Sequence, residues 1–115
     1  MRVNRVVCIV DCGIVINPEG LEGQAESGII WGLSAALKGR IDFKQGAAVQ
    51  QSYSDYDVIR IDDAPQIETY IVNSDNPPGG FGETAVPPIA PAVANAIFAA
   101  TGQRLRELPL RFEAS

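Results

Sequence analysis

Residues Asn76 to Glu83 read Asn-Pro-Pro-Gly-Gly-Phe-Gly-Glu, a run in which two prolines and three glycines lead into one carboxylate. Prolines fix φ and glycines permit positive φ, so this run is expected to be a loop whose backbone can come close to a bound group. A helix is predicted after it, over Ile89 to Thr101, with Pro91 suited to the first turn and Gly102 at the stop. Just upstream of a helix start, a carboxylate meets backbone N–H groups and the positive end of the helix dipole, which favour its ionised form. Glu83 is therefore the first candidate for chemistry. The competing interpretation is a solvated loop acid that only caps the helix.

The second candidate is Gln24, an amide that can donate and accept at once, set among glycines that let a planar group approach the backbone. Considered alone it is a surface glutamine. Gly79-Gly80-Phe81-Gly82 has neither the lysine of a P-loop nor the spacing of a dinucleotide turn, which argues against nucleotide binding. An Asp11 and Glu83 pair for sugar hydrolysis needs a separation that no sequence feature fixes.

The chain has 115 residues, 46% of them hydrophobic and 20% charged, which fits one globular domain spanning 1–115. Its net charge of -5 and lack of a basic patch argue against nucleic acid as partner. It has no histidine, so the usual general base and the commonest metal ligand are missing and carboxylates, thiols and amides must carry any chemistry. Cys8 and Cys12 have the wrong spacing for a thioredoxin-type pair and are too few for a structural zinc, so both are expected to be reduced core residues. No side chain is assigned as a metal ligand, and no apolar run is long enough for a membrane span.

Several elements must position these groups. Val6 to Val10 is an unbroken apolar run, expected to be a central strand covered on both faces. Asn17-Pro18-Glu19 reads as N-cap, first-turn proline and dipole-compatible acid, opening a helix from Pro18 to about Leu37. On its wheel Leu21, Ala25, Gly28, Gly32 and Ala35 share one face, with Gln24 and Trp31 on the flank. Glycines 20, 23, 28 and 32 each cost about 1 kcal/mol of helix propensity, so close packing or a ligand is expected to offset them. Arg40 to Lys44 alternates charged and apolar side chains and Gln45-Gly46 supplies a turn into Ala47 to Tyr53, predicting a hairpin with Ile41 and Phe43 inward. Ser54 to Pro65 is a surface loop, with a short extended piece expected at Val58 to Ile61. Gln66 to Val72 is a strand leading to the glycine loop, and Leu105, Leu108 and Leu110 are expected to dock after the last helix. The mixed order favours an α+β, two-layer sandwich with a mixed sheet of four or five strands and two helices on one face.

Taken together, Val10-Asp11-Cys12-Gly13, Asn17-Pro18, Glu22-Gly23-Gln24, Gly28, Gly32-Leu33, Gly80-Phe81-Gly82-Glu83 and Pro87-Pro88-Ile89-Ala90-Pro91 resemble the xanthine oxidase family of molybdenum hydroxylases. The resemblance is to the C-terminal part of their molybdopterin-binding subunit, most like the isoquinoline 1-oxidoreductase and aldehyde dehydrogenase branch, and it covers nearly the whole chain. It implies that Glu83 is the general base beside the molybdenum, that Gln24 hydrogen-bonds the pterin, and that Gly80, Phe81 and Gly82 form the loop against the cofactor. Phe81 and Thr84 depart from the family pattern, where a smaller aliphatic residue and a proline or alanine are commoner, which bears on access to the substrate carbon.

By the same resemblance the chain is expected to be a fragment of a longer oxidoreductase subunit, inactive alone, with molybdopterin held mostly by the rest of that subunit. A partner subunit or domain would carry iron–sulfur clusters, and the substrate would be a small aldehyde or N-heteroaromatic compound. Cytoplasm and periplasm are both open, depending on a signal further upstream. The rival is a non-catalytic protein-interaction module that keeps the fold.

Overall fold

The computed structural model describes residues 1–112. In chain order they form β1 (Arg5–Val10), α1 (Pro18–Leu37), β2 (Phe43–Lys44), β3 (Ala47–Ala48), a single 3-10 turn (Ile61–Asp63), β4 (Gln66–Ile71) and α2 (Ile89–Thr101). Both helices have the limits that their end signals predict. Asn17 caps α1, its Oδ1 accepting the Gly20 N–H at 3.0 Å, and Pro18 opens the first turn. Gly102 closes α2 in the left-handed region at φ 74°, its N–H donating to the Phe98 carbonyl.

β1 and β4 lie where expected, β2 and β3 are two-residue pieces of the expected hairpin, and the pairing differs. Instead of one sheet of four or five strands there are two sheets of two: β1 runs parallel to β4, and β2 pairs antiparallel with β3. Gln45 and Gly46, at φ 51° and 81°, supply the two positive φ values of a tight hairpin turn. The hairpin stays short and apart from the other sheet. Ile41 and Phe43, expected inward, are exposed, because alternation shows which side is apolar without showing that anything covers it. At Val58 to Ile61 the chain is irregular and turns into the 3-10 segment, so no extended strand forms there.

Val6, Cys8 and Ile67 turn towards a core built from both helices and the loop between β4 and α2: Ile29, Leu33, Ala36, Ala85, Ile89, Val93, Ile97 and Leu110. The opposite face of the strand pair is bare. Val7, Ile9 and Tyr70 are 44%, 72% and 55% exposed, so β1 is covered on one face and not on both. Arg5 crosses that face to Glu68 in a bidentate pair, Nε to Oε1 at 2.7 Å and Nη2 to Oε2 at 2.8 Å. Leu110 is buried, its N–H donating to the Ala36 carbonyl, and Leu105 is half-buried, whereas Leu108 points outward and does not dock. Cys8 and Cys12 are free thiols, half-buried and not fully enclosed as expected.

The two helices meet through backbone. A Cβ on Gly32 would fall on the Ile89 Cγ2 atom and 2.8 Å from the Val86 carbonyl oxygen, and one on Gly28 would lie 2.9 Å from the Ala85 Cβ. Close packing thus accounts for Gly28 and Gly32. Gly20 sits against the Asn17 cap and Gly23 faces open space, so the expected packing reason holds for only half of the glycines. The stripe also rotates at its end, with Ala36 buried and Ala35 exposed, as a repeat of 3.6 residues dictates over several turns.

The chain exposes far more surface than its mass requires. Its accessible area is 8166 Å², against about 6,100 Å² for a folded monomer of this size, and its radius of gyration is 16.5 Å against about 13 Å. No helix among the described residues is long and apolar enough to cross a membrane.

This packing makes the glycines of α1 unequal in stability. Gly32→Ala should destabilise by about 1–3 kcal/mol through overpacking against Val86 and Ile89, whereas Gly23→Ala should stabilise by up to about 1 kcal/mol. Urea midpoints of the two variants check this; equal shifts would contradict the contact. Acid should act through the surface ion pairs. Hydrogen bonds from Arg5 and from Lys38 hold the Glu68 and Asp63 carboxyls below the usual carboxylate range. A depressed folded-state pKa contributes stability above the unfolded pKa and loses it as pH falls through the folded value. The urea midpoint should therefore hold near neutrality and fall below about pH 4, less steeply in Glu68→Gln, with added salt weakening the effect.

Candidate functional site

Because β1 and β4 are parallel, the segments that leave them emerge at the same end of the sheet. One is the 11–17 connection into α1, the other the 72–88 loop that carries Glu83. The open ends of parallel strands are where such folds commonly place their sites. Here the two segments are joined directly. The strand ladder continues as Val72 N–H donates to the Val10 carbonyl at 2.8 Å, then Ile14 N–H donates to Asn76 O at 3.0 Å and Gly79 N–H to Cys12 O at 2.7 Å.

Gly13 lies inside this junction at φ 76°, with its N–H donating to Asp11 Oδ1 at 3.1 Å. A Cβ there would fall on the Pro77 carbonyl oxygen and 2.7 Å from that of Asn76. From sequence, Gly13 is assigned no structural part. An Asp two residues before a glycine signals such a turn, although it does not reveal which backbone will lie against it.

Downstream, the loop is fixed again where Ala85, Val86 and Ile89 meet Gly28 and Gly32. Glu83 falls between the two anchors. Its side chain is exposed and makes no hydrogen bond among the described residues, while its carbonyl accepts the Val86 N–H at 2.8 Å. It does not cap α2. That helix begins at Ile89 with Pro88 at the cap position and no side-chain capping bond, so Glu83 neither caps it nor meets the backbone N–H groups expected of it, and its carboxylate is solvated as the competing interpretation held.

Gln24 lies in the second turn of α1, exposed, its amide without a partner among the described residues. It is one helical turn, about 6 Å, before Gly28, on the same side. Gly28 touches Ala85, two residues beyond Glu83, so α1 and the end of the loop meet one turn after Gln24, and Gln24 and Glu83 make no contact with each other among the described residues. Phe81 is half-buried and packs against the hydrophobic core, which makes it an anchor of the loop. Gly80 and Gly82 have neither positive φ nor any atom within 4 Å of an added Cβ, so nothing inside the described chain requires a glycine at either position.

The perturbed ionisable groups belong to the surface pairs of the fold and to Cys8, whose thiol is pushed up by burial. Among the described residues, no group of three or more Cys, Asp or Glu is placed to hold a metal ion. What the geometry offers is an open glycine backbone, a free carboxylate and a free amide, all turned away from the chain's own core.

Residues 1–65 match the family described as Molybdopterin cofactor-binding domain. Over 111 residues the chain is 40% identical to the beta subunit of isoquinoline 1-oxidoreductase from Brevundimonas diminuta, covering 96% of this chain and 14% of that one. Over 114 residues it is 38% identical to a nicotinate dehydrogenase subunit of Pseudomonas putida, covering 98% of this chain and 10% of the relative. Among solved structures, quinoline 2-oxidoreductase from Pseudomonas putida 86 superposes with a TM-score of 0.84 at 26% identity, over 94% of this chain and 15% of that one. The chain belongs to the molybdopterin cofactor-binding domain family.

The residues present fit such a group. Space beside Gly80 and Gly82 would otherwise be plain solvent, and Glu83 and Gln24 keep their polar atoms free for an outside partner. Gly80→Ala and Gly82→Ala are therefore expected to leave the fold intact, within about 0.5 kcal/mol of the parent or slightly more stable. Thermal unfolding checks this, and a loss above about 1 kcal/mol for either variant would show that the loop backbone is already in close contact.

Proposed function

We propose that the chain is the C-terminal part of the molybdopterin-binding subunit of a molybdenum hydroxylase, supplying the general base Glu83 and a pterin contact, Gln24. The observation that carries this reading is the free Glu83 carboxylate between two anchors, beside an open glycine backbone, in a chain of this family. The named activities of its relatives favour an aldehyde or an N-heteroaromatic compound as substrate.

When bound, the molybdenum cofactor supplies the redox chemistry. The protein's part is positioning and proton transfer. Gly80 and Gly82 leave room for the group to approach the backbone, and Gln24 offers its amide to the pterin. Glu83 takes a proton at a carboxylate oxygen from the water-derived oxygen that adds to the substrate carbon, a role worth about 10² to 10⁴ in rate. Phe81, held against the core, anchors the loop that carries these groups.

The chain spans 14% and 10% of the lengths of the two relatives above. One or two contacts do not offset the entropy of binding a large cofactor, so this chain works beside the rest of a longer subunit and is inactive alone. Its area excess of about 2,000 Å² is more than twice the roughly 800 Å² that one partner contributes to a standard interface, and the bare Val7, Ile9 and Tyr70 face supplies part of it. An iron–sulfur subunit or domain takes the electrons onward.

In the metal-loaded subunit, Glu83→Gln should keep molybdenum content and fold while lowering the rate of substrate oxidation at least about 10²-fold. Single-turnover reduction with one substrate measures this, and a variant within tenfold of the parent would refute the assignment. A non-catalytic interaction module would hold no molybdenum at all.

A further inference from the structure

The glycine loop reaches Glu83 from a fixed point, and that point is built by the 11–14 turn. We propose that Asp11 and Gly13 are positioning residues: they form a latch that sets where the Glu83 carboxylate stands. This rests on the reading of Glu83 as the base. The latch itself is independent of it.

Three contacts converge on the turn. Ile14 N–H holds the Asn76 carbonyl, the Cys12 carbonyl holds the Gly79 N–H, and the backbone of Asn76 and Pro77 lies where a Gly13 side chain would be. Gly13 is needed twice, for its positive φ and for that close approach. Asp11 Oδ1 accepts the Gly13 N–H and thereby holds the turn in the shape that presents both backbone partners.

Beyond Gly79 only residues 80 to 84 are free before Ala85 reaches Gly28, and Phe81 is tied to the core within that stretch. With both anchors in place, the short span limits where the Glu83 backbone can lie, and with it the region its exposed side chain can reach. Without the upstream anchor, Glu83 is held by Phe81, by Ala85 and by the bond of its own carbonyl to the Val86 N–H. A displacement of about 1 Å in a reacting group costs about 10²-fold in rate, so a turn without any contact to substrate controls turnover.

The test uses the metal-loaded subunit that contains this chain, with Gly13→Ala, Asp11→Ala and Asp11→Asn. Amide hydrogen exchange at Ile14 and Gly79 is read together with molybdenum content, kcat and KM. Gly13→Ala and Asp11→Ala should speed exchange at both amides and lower kcat, by about 10²-fold for Gly13→Ala, with molybdenum content kept and KM little changed. Asp11→Asn keeps an oxygen acceptor for the Gly13 N–H and should restore both exchange and kcat. Should Gly13→Ala not fold, the Asp11 pair decides. Unchanged exchange would overturn the latch, and faster exchange with parental kcat would overturn its positioning role. Glu83→Gln measured alongside separates the two ideas: if it retains parental kcat the base assignment fails, while the exchange comparison still decides the latch.

Discussion

Backbone-to-backbone approach between α1 and the segment entering α2 is the constraint on which the rest of the structure depends. Gly28 and Gly32 let Ala85, Val86 and Ile89 lie directly on the helix, closer than any side chain would allow. Each glycine costs about 1 kcal/mol of helix propensity. Burying a side chain such as Ile89 contributes about 1.5–3 kcal/mol, so the exchange favours the packed state. Once that contact forms, the end of the glycine loop has a fixed height on α1. Parallel pairing of β1 with β4 fixes where the loop begins. Glu83 is suspended between these two decisions, and neither of them involves its own side chain.

Much of this was legible in the residues, for identifiable reasons. The helix limits could be read because Asn17-Pro18 and Gly102 carry end signals that act locally. The α1 stripe and the Asn76 to Glu83 loop could be read because several glycines in a helix, or prolines and glycines before a lone acid, are hard to explain otherwise. Pairing was less legible. Partners such as Val6 and Ile67, or Cys8 and Thr69, lie far apart in sequence, and local pattern carries nothing about which strand meets which. The hairpin forms at Gln45-Gly46 as read, but its inward face was misread for a related reason, since Ile41 and Phe43 have an apolar pattern but no cover among the described residues. Gly13 was illegible because a glycine in a connection reports freedom, while its role here comes from the backbone of Asn76 and Pro77, in a distant part of the chain.

The strand pair is covered incompletely in a chain that spans 14% and 10% of the two relatives described above. A β1 sequence written for burial on both faces is buried on one, and Trp31, Phe43 and Tyr53 are exposed large aromatic groups on other sides. The same economy shows at the site, where nothing among the described residues lies against Gly80 or Gly82 where a Cβ would be, and the Gln24 and Glu83 side chains have no hydrogen-bond partner. Core and site are thus both half of a contact. In the proposed reading the other half is the remaining subunit together with its cofactor.

The most direct measurement is a crystal structure of the molybdenum-loaded subunit containing this chain. The account predicts the 11–14 and 28–32 contacts with the loop unchanged, the Gln24 amide on the pterin, and the Glu83 carboxylate within hydrogen-bonding reach, about 2.6–3.2 Å, of the reacting oxygen. A Glu83 side chain left in solvent away from the metal, with those contacts intact, would contradict it.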